Sequence, residues 1–157
     1  MDMTGEYRID AARDKVWAAL NDAGVLKACI PGCEELAWTG DTTLAAEVVQ
    51  KIGPVKARFK GEVELLNIVP SESYTIQGEG KGGVAGFAKG AADVTLAEDS
   101  DGTVLAYVVH AQVGGKLAQL GNRLINSTSK KLAGKFFDNF SNHLNGNAIP
   151  AGEAQQD

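Results

Sequence analysis

Positions 55 to 65 alternate without a break. Val55, Ala57, Phe59, Gly61, Val63 and Leu65 take one side, and Lys56, Arg58, Lys60, Glu62 and Glu64 take the other. A strict period of two puts one face in a core and the other in water, the signature of an antiparallel sheet. Weaker alternation predicts further strands over Leu44 to Ile52, Tyr74 to Lys81, Ala88 to Leu96 and Leu105 to Val113. Gly53-Pro54, Pro70 to Ser73 and Glu98 to Gly102 separate them as turns. Upstream, Gly5 to Ile9 reads as a short first strand. Asp10 is placed to cap a helix over Ala11 to Asn21, whose Val16, Trp17 and Leu20 form an apolar stripe. A second helical turn, Val25 to Cys29, runs into the turn Ile30-Pro31-Gly32-Cys33. From Gly115 the period lengthens. Leu117, Leu120, Leu124, Leu132, Phe136, Phe140 and Leu144 recur at helical steps, predicting one long amphipathic helix stopped by Asn145-Gly146. The predicted order is strand, two short helices, six strands, long helix. This is an α+β domain over residues 1–146, followed by a polar, disordered tail over 147–157.

The inward positions of this sheet are small. If Tyr74 and Ile76 face the helix, so do Gly78 and Gly80; if Val94 and Leu96 do, so do Ala88, Gly90 and Ala92. Ala46, Ala57, Gly61 and Ala111 fall on inward faces too. A sheet packed on a helix ordinarily fills the gap with Leu, Ile and Phe to interior density. Two explanations stand side by side. Small residues let the helix lie close to the sheet or relieve a strongly bent strand, or they line an internal apolar cavity.

Composition narrows the partners. A net charge of −5 disfavours duplex nucleic acid, which calls for a dense basic surface, so no nucleic-acid partner is expected. No apolar run approaches membrane-spanning length, and the N-terminus lacks the basic and apolar regions of a signal peptide. The two cysteines, Cys29 and Cys33, sit in one short loop, which fits a reduced, cytoplasmic protein.

Four strings carry a resemblance: Cys29-Ile-Pro-Gly-Cys33, Gly53-Pro-Val-Lys-Ala-Arg-Phe-Lys-Gly61, Gly82-Gly-Val-Ala-Gly-Phe-Ala-Lys-Gly90 and Val113-Gly-Gly-Lys-Leu-Ala-Gln-Leu-Gly121. They resemble the hallmark segments of the carbon monoxide dehydrogenase G-subunit family, over roughly residues 5 to 140. The resemblance implies a helix-grip fold of the START, Bet v 1 or polyketide-cyclase type (the SRPBCC superfamily), in which a curved antiparallel sheet wraps a long C-terminal helix around a hydrophobic tunnel. It also implies a non-catalytic role beside a molybdenum-containing hydroxylase, in membrane recruitment and in handling a lipophilic quinone. Many members continue into a linker and a membrane-binding tail, whereas this sequence stops at Asp157. The expectation is therefore at most weak peripheral contact at the inner face of a membrane.

The expected ligand-contacting set is Phe59, Gly78, Gly80, Phe87, Gly90, Ala92 and Tyr107 from the strands, with Leu117, Leu120 and Leu124 from the helix. The ligand is expected to be a hydrophobic, quinone-like molecule with no covalently bound cofactor. Competing motifs are weaker. Gly78-Glu-Gly-Lys-Gly-Gly83 fits the dinucleotide fingerprint G-x-G-x-x-G, but a strand pattern resumes after it where a helix is needed. Cys29 and Cys33 have no second pair at metal-ligand spacing, and His110 and His143 form no triad. No catalytic residue is assigned. Lys56, Arg58 and Lys60, with Lys81 and Lys89, are either a solvated face or a docking patch for an acidic partner or anionic lipid. The rival functional readings are an enzyme of the same fold, a cyclase or hydrolase with a hydrophobic substrate, and a pure protein-interaction module should the core prove solid.

Overall fold

The computed structural model describes residues 1–146, and the tail predicted over 147–157 lies outside them. The chain forms β1 (Asp2–Ile9), α1 (Arg13–Leu20), α2 (Ala23–Cys29), β2 (Cys33–Trp38), β3 (Thr43–Ile52), β4 (Val55–Val69) and β5 (Ser73–Lys81). A single 3-10 turn (Gly83–Ala85) leads to β6 (Phe87–Asp99), β7 (Gly102–Gly114), α3 (Lys116–Gln119) and α4 (Asn122–Leu144). The strands make one seven-stranded sheet in the order β1-β7-β6-β5-β4-β3-β2, antiparallel throughout. Among the described residues the only non-sequential neighbours are β1 and β7, so the first strand pairs with the last at one edge. The sheet wraps α4 in the predicted helix-grip arrangement.

The alternation of β4 is realised in the structure. The apolar members of the run from Val55 to Leu65 lie toward the helices, and their charged neighbours are exposed. The sixth strand after the helices, which alternation does not locate, is β2. A bulge between Cys33 and Glu35 breaks its pattern. Cys33 therefore opens a strand and Cys29 ends α2, so the two are not in one loop.

Two helix boundaries differ from expectation. Asp10 does not cap α1, because the extended residue at the helix entrance is Ala12 and no side chain caps it. Asp10 instead pairs with Arg8. Asp22 caps α2, its Oδ1 accepting from the amides of Gly24 at 2.9 Å and Val25 at 3.2 Å. The long helix predicted from Gly115 is broken. Gly121 adopts φ +88°, a conformation that glycine takes without a Cβ penalty, and it separates α3 from α4.

Candidate functional site

The inner face of the sheet changes character along its strands. At one end Ile9, Leu65, Tyr74, Val94, Leu96 and Leu105 are all buried. Val16 and Leu20 of α1 and Phe137, Phe140 and Leu144 of α4 cover them, forming one apolar cluster. Trp17 packs edge-on against Tyr74 with centroids 5.0 Å apart. Polar groups seal this end. The Thr103 hydroxyl donates to the Ala11 carbonyl at 2.7 Å, and Lys15 Nζ donates to the Leu144 carbonyl at 3.0 Å, a cation on the last turn of α4.

The other end is open. Phe59, Val63, Ile76, Ala92, Val109 and Ala111 point the same way by strand parity, yet each remains partly exposed. The backbone of α4 runs close to α2, β1, α1 and β3. Tyr7, Tyr107 and Phe137 stack between the two halves. Tyr7 and Phe137 lie 4.2 Å apart and Tyr107 and Phe137 5.8 Å, near parallel in both cases. This aromatic layer is the floor of the open end. Burial, with Tyr7 nearby, pushes the Tyr107 phenol above its ordinary pKa, so it stays neutral.

Three segments form the rim. Leu124 of α4 lies against Gly53 in the β3–β4 turn. The β5–β6 turn closes with Gly82 N–H donating to the Gly86 carbonyl at 2.8 Å. It packs backbone to backbone on the β7–α3 link, where a Cβ at Gly86 would fall 1.9 Å from the Gly114 carbonyl. Val84, at the tip of this turn, is 86% exposed.

Of the expected contact residues, Phe59, Gly78, Gly80, Gly90, Ala92 and Tyr107 share the inner face at or above the aromatic floor. Leu124 and Leu120 lie part-exposed on the rim segments, and Leu117 is buried on α3. Phe87 does not join them. It has the parity of Lys89 and Ala91, lies on the outer face with its ring over Gly114, and is 37% exposed. The small inward residues are of two kinds. A Cβ on Gly90 would meet the His110 carbonyl at 2.3 Å, and Cβ atoms on Gly61 and Gly78 would meet the Glu79 and Glu62 carbonyls at 3.1 and 3.2 Å. These glycines serve the close approach of neighbouring strands within the sheet, not of the helix. At Gly80 the nearest atom to a built Cβ is Phe59 Cβ at 3.9 Å, an ordinary contact beside open space.

Sequence reasoning missed Tyr7 and Phe137 of the floor, and Gln50, which is 8% exposed on the inner face of β3. The alternation Leu44, Ala46, Val48, Gln50, Ile52 could have found Gln50, as a polar residue in an apolar register.

Charge lies on the outer face. Arg58 pairs with Glu34 and Glu47, the latter at 3.3 Å, and Lys60 reaches Glu47 at 3.6 Å, so part of the expected basic patch is neutralised within the sheet. Open depressions of about 1070 and 500 Å³ on this face carry Glu62 and Glu79 in common. His110 also lies outward, its Nδ1 2.8 Å from an Asp2 carboxylate oxygen. Among the described residues no group of three or more His, Cys, Asp or Glu is arranged to hold a metal. Burial raises the Cys29 thiol to about 11 and also raises Cys33. The glycine fingerprint at 78–83 opens only the three-residue 3-10 turn, which offers no helix N-terminus to a phosphate.

Residues 5–145 match the model of the family described as the carbon monoxide dehydrogenase G subunit, CoxG. The chain belongs to the CoxG family. A conserved protein from Geobacillus kaustophilus superposes with TM-score 0.88 at 28% identity, over 93% of this chain and 96% of that one. More distant solved structures share the fold. Ara h 8.0201 has TM-score 0.64 at 12% identity over 94% and 99% of the two chains. The Zhui aromatase/cyclase from Streptomyces sp. R1128 has 0.65 at 9% over 92% and 93%. No curated protein matches the sequence. The CoxG match and these neighbours bear out the family and helix-grip fold that the four sequence strings implied.

Proposed function

We propose that this CoxG-family protein is a non-catalytic carrier that holds a lipophilic, quinone-like molecule at the open end, between the sheet and α4, and serves a molybdenum hydroxylase of the carbon monoxide dehydrogenase type. The observation that carries the reading is the set of inward-facing apolar side chains that remain solvent-reachable above the aromatic floor. Apolar area of that kind contributes roughly 25 cal/mol per Å² when a ligand covers it. The name of the family supports the choice of partner enzyme.

The aromatase/cyclase neighbour supports the rival, an enzyme on the same fold. Such an enzyme needs convergent groups with pKa values drawn toward neutrality. Burial raises the pKa of the Tyr107 phenol, at the floor, and does not draw it toward neutrality.

The rim supports weak contact with an anionic membrane, on the inner side, from which the lipophile is drawn. Val84 projects there, and Lys51, Lys56 and Lys81 flank the two turns. No helix among the described residues is long and apolar enough to cross a membrane. The test of the reading is native mass spectrometry and solvent extraction of the purified protein, followed by titration with a long-chain quinone. A co-purifying lipophile or saturable binding is expected. Failure to saturate with a quinone and several other lipophiles contradicts the reading.

A further inference from the structure

Two short segments meet on the rim of the open end. The backbone of α3 runs close to β7 and to the 3-10 turn between β5 and β6. Each segment buries a single side chain. In α3 it is Leu117, 2% exposed, while Lys116, Ala118 and Gln119 are exposed. In the turn it is Ala85, beside the exposed Val84. Neither Leu117 nor Ala85 belongs to the apolar cluster of the solid half.

Glycines in the left-handed region bound α3, Gly115 at φ +70° before it and Gly121 at φ +88° after it. The two ends differ. Gly115 is wedged on the β5–β6 turn, where its built Cβ falls 2.6 Å from the Gly86 Cα. A Cβ on Gly121 would meet nothing within 4 Å. One end is a fixed pivot and the other is slack. The backbone bonds between them are local. Ala118 donates to Gly115 at 3.1 Å, Leu120 to Leu117 at 3.1 Å and Gly121 to Ala118 at 3.4 Å. Among the described residues no backbone hydrogen bond ties Lys116 to Leu120 to another element. A segment with one buried side chain and only local bonds lies at the low end of local stability.

We propose that α3 is a lid on the open end, hinged at Gly115 and Gly121 and latched by Leu117, which lifts for the lipophile to enter or leave. The proposal rests on the carrier reading and adds the step that controls exchange. A lid stands between ligand and pocket in both directions, so loosening its latch speeds entry and exit alike. Loss of an ordinary pocket contact speeds exit and leaves entry nearly unchanged.

The test is stopped-flow mixing of the full chain with a long-chain quinone, then displacement of the bound quinone by an excess of a second lipophile. Leu117→Ala is expected to raise both rates at least roughly tenfold and in step, because the closed state loses most of one leucine's burial. Leu117→Met keeps that burial and should return both rates to near the wild-type values. Leu117→Val replaces the alanine variant should that one not fold. Hydrogen exchange of the ligand-free wild type reads the lid without a ligand. The amides of Leu120 and Gly121 should exchange well before those of the middle of α4. A rise in the exit rate alone makes Leu117 a pocket contact and overturns the lid. Unchanged rates, or exchange at Leu120 and Gly121 as slow as in α4, overturn it too. Each of these results leaves the carrier reading standing. Saturable binding of neither the quinone nor other lipophiles overturns the carrier reading and, with it, this inference.

Discussion

The same seven strands build a solid half and an open half. On β6, Val94 and Leu96 are buried in the cluster with α1 and the C-terminal part of α4, while Ala92 and Gly90, two and four residues earlier on the same face, remain part-exposed. On β4, Leu65 is buried and Phe59 is part-exposed. One half has large side chains and two covering helices. The other mixes small residues with Phe59, Ile76 and Val109, all of them part-exposed. Stability is thus placed at one end of the sheet and the proposed binding at the other. The Tyr7, Tyr107 and Phe137 stack marks the border.

This division can be broken most forcefully at Phe140, which is 0% exposed in the solid half. Phe140→Ala is expected to cost about 3–5 kcal/mol in denaturant unfolding, through lost burial and the cavity it leaves. A loss below about 1 kcal/mol would mean that this half is not tightly packed. Next in size is a contrast between two glycines. Gly90→Ala should destabilise by roughly 1–3 kcal/mol, because its methyl meets backbone that cannot yield. Gly80→Ala should be neutral or stabilising by up to about 1 kcal/mol, since its methyl enters open space and the unfolded chain loses freedom. Equal effects at the two sites would erase the distinction between glycines that serve backbone approach and one that borders open space.

The cysteines sharpen the comparison by chemistry. Cys29 is buried in the core cluster with its pKa raised to about 11, while Cys33 is part-exposed at the start of β2. At about pH 8, just below the ordinary thiol range, mass-mapped alkylation of the native protein should label Cys33 first and spare Cys29 until the protein unfolds. The raised folded-state pKa means that the contribution of Cys29 is complete below the ordinary thiol range. It is lost as pH climbs from about 9 toward 11, where the unfolded chain ionises first.

Much of this is legible in the sequence. The period-two run at 55–65 sets the inner face of β4, and parity then carries Gly78, Gly80, Gly90 and Ala92 to the inner face where they are found. What escapes has physical causes. Helical spacing runs through Leu117, Leu120 and Leu124 without registering Gly121, because periodicity is blind to one residue at positive φ. Phe87 reads as pocket lining because it is aromatic beside small residues, although its own strand parity puts it outside. A sequence likewise does not say which small residues lie under a neighbouring backbone and which face open space, since that depends on how sharply each strand bends.

The central claim is that the inner face above the aromatic floor is room for a ligand and not packed core. Ala92 tests it most directly, standing between Gly90 and Val94 and opposite Ile76 and Val109. Ala92→Leu should leave the thermal midpoint of the ligand-free protein unchanged or raised, because the added side chain buries apolar area without overpacking. The same substitution should weaken quinone binding at least roughly tenfold, the loss expected when about 1.4 kcal/mol of contact is displaced. A variant with a lowered midpoint and undiminished affinity would contradict the account, showing a filled core at Ala92 and a ligand held elsewhere.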